Sequence, residues 1–319
     1  MSAVAFAYLE ARARAGKSRE TIRHNRSVLQ TLLRFIRETR RPRGELVPGL
    51  LSEELLDRFV DWLRDKGRSE ATIFRYTRLV EQWWSWAATR DAFRAFVPPP
   101  TTLDMSPPLP KPVRSVDWAQ VDAAIAVALE RSAAPWVAEV LTIARATGLR
   151  WKQIWHMAWP QFTLGGDVAW WQMPPELGKT RTEKGAARVV PLAPWFADWL
   201  RERRRAVGYV VQPERARPPV TEQVRVHRFP LHRAWRLAGV DEELTRRRPL
   251  HVCRRAMETG LTMAGAERIA IDYLLGHDLG GIGANAYLDP NGLRPKLLAA
   301  VGMIPPVGQA SDIGWARTG

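Results

Sequence analysis

The chain has 319 residues, 46% of them apolar, which is enough for two domains with buried cores, and no uninterrupted apolar run approaches membrane-spanning length. A formal net charge of +15 and a pI near 10.8 point to a polyanionic partner, with nucleic acid ahead of a membrane surface because no single basic amphipathic segment dominates. The one cysteine, Cys253, excludes an internal disulfide and a cysteine-based zinc site. The N-terminus has no basic start followed by an apolar core, so no signal peptide is expected and the protein is placed inside the cell, with the nucleoid.

Residues 1 to about 95 read as helical. From Ser18, a good N-cap, Ile22, Leu29, Leu32, Leu33 and Ile36 share one apolar face. A second helix starts at Ser52 with Glu53 and Glu54 in its first turn, buries Leu56, Phe59, Val60 and Leu63, and stops at Gly67. A third begins near Ser69 and lines up Ile73, Tyr76, Val80, Trp83 and Trp84. These stripes are core. The opposite faces carry Arg19, Arg23, Arg26, Arg75 and Arg78, a set suited to the DNA backbone.

Seven prolines fall between Pro98 and Pro112, a stretch that can be neither helix interior nor central strand. Residues 98–113 are therefore the expected linker between a helical domain (1–97) and a second domain (114–305), with a tail at 306–319. The second domain opens with helices near Val116 to Arg131 and Pro135 to Thr147. The latter is broken by Thr147-Gly148-Leu149-Arg150, where Gly148 suits a left-handed C-terminal position and puts Arg150 on a sharp corner. A short helix is expected from Trp151 to Trp159. Strands Val168–Met173 and Ala187–Leu192 then flank a basic hairpin tip, Gly178 to Gly185, holding Lys179, Arg181 and Lys184. Helices are expected from Pro194 to Ala206, from about Val220 to Ala238, and from Leu293 to Val301, with an irregular loop from Tyr209 to Pro219.

After Pro249, Leu250, Cys253, Met257 and Leu261 form a buried stripe, and Gly260 is expected to weaken or end the helix. His251 and Arg254 lie about 60° apart along one edge of that stripe, so both can converge on one acidic ligand. In so arginine-rich a chain that pair alone is unspecific. It gains weight from His277, in Leu275-Gly276-His277, and from Tyr287 ten residues on.

In this order the pieces resemble the tyrosine recombinase (phage integrase) family over nearly the whole chain. The matching motifs are T-G-L-R at Thr147 to Arg150, a hairpin lysine, H-x-x-R-R from His251, L-G-H ending at His277, and Tyr287. The resemblance implies a mostly α, α+β chain: a helical core-binding (SAM-like) domain and a mixed catalytic domain with a small antiparallel sheet. It implies that Arg150, Lys179 (or Lys184), His251, Arg254, His277 and Tyr287 cleave and rejoin DNA through a 3′-phosphotyrosyl link. No metal, ATP or other cofactor is implied. Implied partners are double-stranded recombination sites, three further copies in a tetramer, and an accessory DNA-bending or directionality factor. Gln153 departs from the pattern, which commonly has an acid three residues after the first arginine. Two other readings share the chemistry or the fold: a type IB topoisomerase-like nicking-closing enzyme, and a DNA-binding protein without catalysis.

Overall fold

The computed structural model describes residues 1–39, 48–109, 114–132, 134–178, 188–212, 228–246, 248–277 and 290–309. The chain divides into two compact units, Met1–Pro112 and Val113–Gly319. No helix among the described residues is long and apolar enough to cross a membrane.

Among its described residues, the first unit packs four α-helices, α1 (Ser2–Arg14), α2 (Arg19–Thr39), α3 (Glu53–Asp65) and α4 (Glu70–Ala88). The Ser18 and Ser52 hydroxyls accept the Thr21 and Leu55 amides at 3.1 Å, satisfying N–H groups that the first turns of α2 and α3 leave unpaired. Leu32, Phe35, Leu56, Phe59, Ile73 and Trp83 make the core of this unit. The proline-rich stretch does not hang free. Its beginning adheres to α4, where Trp84 Nε1 donates to the Pro98 carbonyl (2.8 Å), the Glu81 carboxylate accepts the Leu103 amide (2.9 Å), and Leu103 is buried.

The second unit is built on α5 (Trp118–Arg131), α6 (Trp136–Thr147) and α11 (His251–Met263), which pack on one another. Asp117 and Gln120 form a reciprocal capping box at the start of α5. Among the described residues, the other α-helices of the unit are α7 (Trp151–Trp155), α8 (Pro194–Glu202), α9 (Arg228–Leu237), α10 (Glu242–Thr245), α12 (Arg268–Leu275) and α13 (Pro290–Gly302). Both expected strands are present, as β2 (Trp170–Met173) and β3 (Arg188–Pro191), antiparallel with Trp171 opposite Val190. A two-residue β1 (Phe162–Thr163), too short to show a period, pairs with β2's outer edge. The fold is thus mostly helical with one small antiparallel sheet.

Three expectations are corrected. The helix after Arg150 ends at Trp155 rather than Trp159, and Trp159–Gln161 forms a separate 3₁₀ turn. The helix from Pro194 stops at Glu202. Gly260 does not end α11, which continues to Met263. The residue is glycine because a Cβ there would sit 2.7 Å from the fully buried Trp118 indole, so the helix keeps a flat spot where α5 presses against it.

The unit also buries an ion pair. Arg145 on α6, with no exposed surface, donates from Nε to Asp122 on α5 at 2.9 Å and lies over the Trp118 ring. Arg145 Nη2 also donates to the Pro305 carbonyl, and the second Asp122 oxygen accepts the Gly308 amide. The chain after α13 is thereby fastened to α5 and α6.

Candidate active site

Two helix ends meet at the site. Helix α6 terminates on Gly148 and α12 on Gly276, both left-handed (φ 59° and 63°). They are pressed together: a Cβ on Gly148 would lie 2.6 Å from Leu275 Cδ2 and 2.9 Å from Met257 Sδ. Glycine at 148 therefore serves twice, for its backbone angle and for the close approach of α11 and α12.

Arg254, one turn into α11 and 4% exposed, spans the junction. Its Nη1 donates to the Gly148 carbonyl (3.1 Å) and its Nη2 to the Leu275 carbonyl. Arg150 leaves the first corner as the N-cap of α7 and reaches the second, where its Nη2 donates to the Gly276 carbonyl at 3.1 Å. His277 follows directly, with its amide on the Asp272 carbonyl and its Nδ1 2.9 Å from the Asp272 carboxylate. Arg150 and Arg254 thus converge on the turn Leu275–Gly276–His277, which carries the His277 side chain.

His251 opens α11 and is half-buried. Burial, then the positive charges of Arg255, Arg248, Arg254 and Arg150, push its imidazole down to about 4, so at neutral pH the ring is uncharged. The same field that suppresses a proton there favours an anion. Motif reading had not assigned a role to Arg248; its only signal was its place in the arginine run 246–248. Cys253, on the buried stripe of α11, is fully buried and its thiol is pushed up to about 12 by burial, which fits a packing role.

Gln153 is 1% exposed and doubly used. Its Oε1 accepts the Arg150 amide (2.9 Å), and its Nε2 donates to the Leu177 carbonyl (3.4 Å) and contacts Met173 Sδ. A carboxylate could take the first bond but has no proton for the second. Leu177 lies just before the stretch expected to form the basic hairpin tip. On the tip's far side, Arg188 donates to the Tyr273 carbonyl (3.1 Å) and the Tyr273 hydroxyl to the Val189 carbonyl (3.2 Å). Both flanks of the tip are therefore tied to the elements that carry Arg150 and His277. Lys179, Arg181, Lys184 and Tyr287 lie outside the described residues.

In the first unit, Arg19, Arg23 and Arg26 are exposed along α2, and Arg75 is exposed on α4. Arg78 is not available in the same way. It pairs with Glu81 (2.8 Å) and donates to the Leu103 and Met105 carbonyls, so its guanidinium holds the proline-rich stretch onto α4. The stripe assignment could not anticipate that partner, which is more than twenty residues away in sequence.

The phage integrase family matches residues 114–292, more than half of the chain and all of the elements just described around the site. The chain belongs to that family. Its activity is accordingly site-specific DNA recombination. Among solved structures it is similar to a lambda integrase dimer bound to a COC′ core site, at 15% identity over 92% of this chain and 96% of that one, with a TM-score of 0.60. It is also similar to the XerH site-specific recombinase bound to its difH substrate in a pre-cleavage complex, at 16% identity over 86% of this chain and 78% of that one, with a TM-score of 0.54. At such identities the likeness speaks to the fold. No curated protein matches the chain.

Proposed function

We propose that this integrase-family chain cleaves DNA by in-line attack of Tyr287 on a phosphodiester held by Arg150, Arg254 and His277, and reseals it by the reverse reaction. The observation that carries the reading is the convergence of two guanidiniums on the backbone turn that carries His277, beside a His251 ring that burial and then the surrounding arginines keep unprotonated.

A phosphodiester resists nucleophiles because its non-bridging oxygens are negative. Guanidinium forks bind those oxygens and stabilise the added charge of the pentavalent transition state. The phenol, with an ordinary pKa near ~10, must lose its proton during attack. His251, neutral and beside the arginines, is the proposed acceptor. Lys179, or Lys184 in its place, would protonate the departing 5′-oxygen. The 3′-phosphotyrosyl product keeps the energy of the broken bond, so a 5′-hydroxyl can displace the tyrosine without ATP. The positive side chains supply the charge stabilisation that a metal ion would otherwise give, so we assign no metal.

Arg19, Arg23, Arg26 and Arg75 are proposed as phosphate contacts of the first unit, and Arg181 with Lys184 as contacts of the hairpin tip. Paired recombination sites would be held by a tetramer, with an accessory bending or directionality factor setting the outcome. The proposed compartment is the cytoplasm, on the nucleoid.

Covalent trapping tests the reading. Nicked suicide duplexes tiled across the DNA flanking the gene should yield a denaturation-resistant adduct with the wild-type chain and none with Tyr287→Phe, which should still bind. Duplexes that shift with the protein but never form an adduct would refute cleavage at those sites.

A further inference from the structure

The contact that motif reading did not single out is the one between His277 and Asp272. Asp272 stands one helical turn before the α12 terminus, and the left-handed turn at Gly276 folds His277 back against it. Burial on its own would raise the Asp272 carboxyl, but hydrogen bonds from Arg268 and His277 outweigh it and hold the group below its usual range. The carboxylate is therefore ionised at neutral pH, and an ionised carboxylate only accepts. At 2.9 Å the proton between the two groups must sit on His277 Nδ1.

That placement decides what the other ring nitrogen can do. In the neutral ring, with Nδ1 protonated, Nε2 carries a lone pair and would face a phosphate oxygen as one acceptor facing another. Only the imidazolium can give Nδ1–H to Asp272 and Nε2–H to phosphate together. Arg150 and Arg254, anchored on the Gly276 and Leu275 carbonyls, oppose a positive charge on the ring, and the carboxylate cluster it pairs with favours one. Arg268 is bound by Asp272 through both carboxylate oxygens (2.9 and 2.7 Å) and by Glu258 on α11 (2.9 Å). The cluster Glu258–Arg268–Asp272 thus carries one net negative charge, which one imidazolium cancels.

We propose that Asp272 is a positioning residue: it holds the Nδ1 proton of His277, so that the ring meets a phosphate oxygen only as an imidazolium with Asp272 as its counter-charge. The inference rests on the recombinase reading for its consequence, but not for the pairing itself.

Two measurements test it separately. In ¹⁵N-histidine-labelled full-length protein at neutral pH, the His277 Nδ1 shift should be that of a protonated nitrogen. In Asp272→Ala it should move toward the unprotonated value. A wild-type ring protonated at Nε2 alone would overturn the proposal. In the trapping assay, Asp272→Ala and Asp272→Asn should slow adduct formation about tenfold or more, with duplex binding unchanged. In a His277→Ala background, Asp272→Ala should then cost nothing further, whereas a general structural lesion would add its own loss. If wild type and Asp272→Ala trap duplex at the same rate, the inference falls and the recombinase reading stands. If wild type traps no duplex, that reading falls, and the nitrogen shifts still decide the pairing.

Discussion

Gly148→Ala is a sharp test of how the site is assembled. Two separate costs should combine. A left-handed alanine loses about 1–2 kcal/mol against glycine, and Gly148 has φ 59°. The new Cβ would also lie 2.6 Å from Leu275 Cδ2 and 2.9 Å from Met257 Sδ, both on fully buried side chains that have little room to retreat. Forcing a methyl into such a contact costs roughly 1–3 kcal/mol, for a total loss of about 2–5 kcal/mol. Gly265→Ala is the matched control, since φ there is +84° and a Cβ would meet nothing within 4 Å. It should lose only the backbone share, about 1–2 kcal/mol. Urea unfolding of both variants, read as a change in midpoint at constant slope, gives the difference directly. Equal losses, within about 0.5 kcal/mol, would refute the claim that α11 and α12 depend on the missing side chain at 148.

Acid should weaken the fold through His251. Unfolded, this ring takes up its proton near ~6.5; folded, only near about 4. Between those values the unfolded chain binds the extra proton, so stability should be level above pH ~6.5 and fall as the pH drops toward 4. The shift sets a ceiling of about 3 kcal/mol, and half-burial brings the expected loss to about 1–2 kcal/mol. His251→Asn should unfold with a flatter acid limb by calorimetry, and an identical limb would assign the loss elsewhere. Asp122→Ala should cost about 3–5 kcal/mol in denaturant unfolding, because it strands the fully buried Arg145 charge; a loss under about 1 kcal/mol would mean that the pair contributes little.

What could be read before the structure follows from range. Helix periodicity, N-cap serines and the Gly148 corner are local signals, and Ser18, Ser52 and Gly148 sit where local rules put them. The arginine and histidine motif residues could be chosen by order along the chain. Their anchors could not, because Arg254 reaches a carbonyl 106 residues away and Arg150 one 126 away. Arg78 misled for the same reason, its carbonyl partners lying 25 and 27 residues on. Gly260 misled because its meaning depends on Trp118, far upstream. Asp272 was locally visible, five residues before His277, but only a left-handed Gly276 turns that spacing into a contact.

The described anchors of Arg150 and Arg254 are peptide oxygens at the ends of two helices. Peptide oxygens do not titrate and carry no net charge, and a helix C-terminus presents its partially negative end. Guanidiniums steadied in this way are aimed without being neutralised by those anchors, so holding each fork in place takes nothing from the cationic charge it offers to whatever docks. These carbonyl anchors have no protonation threshold of their own. As acidity changes, these carbonyls should keep the two forks aimed for as long as the helices persist.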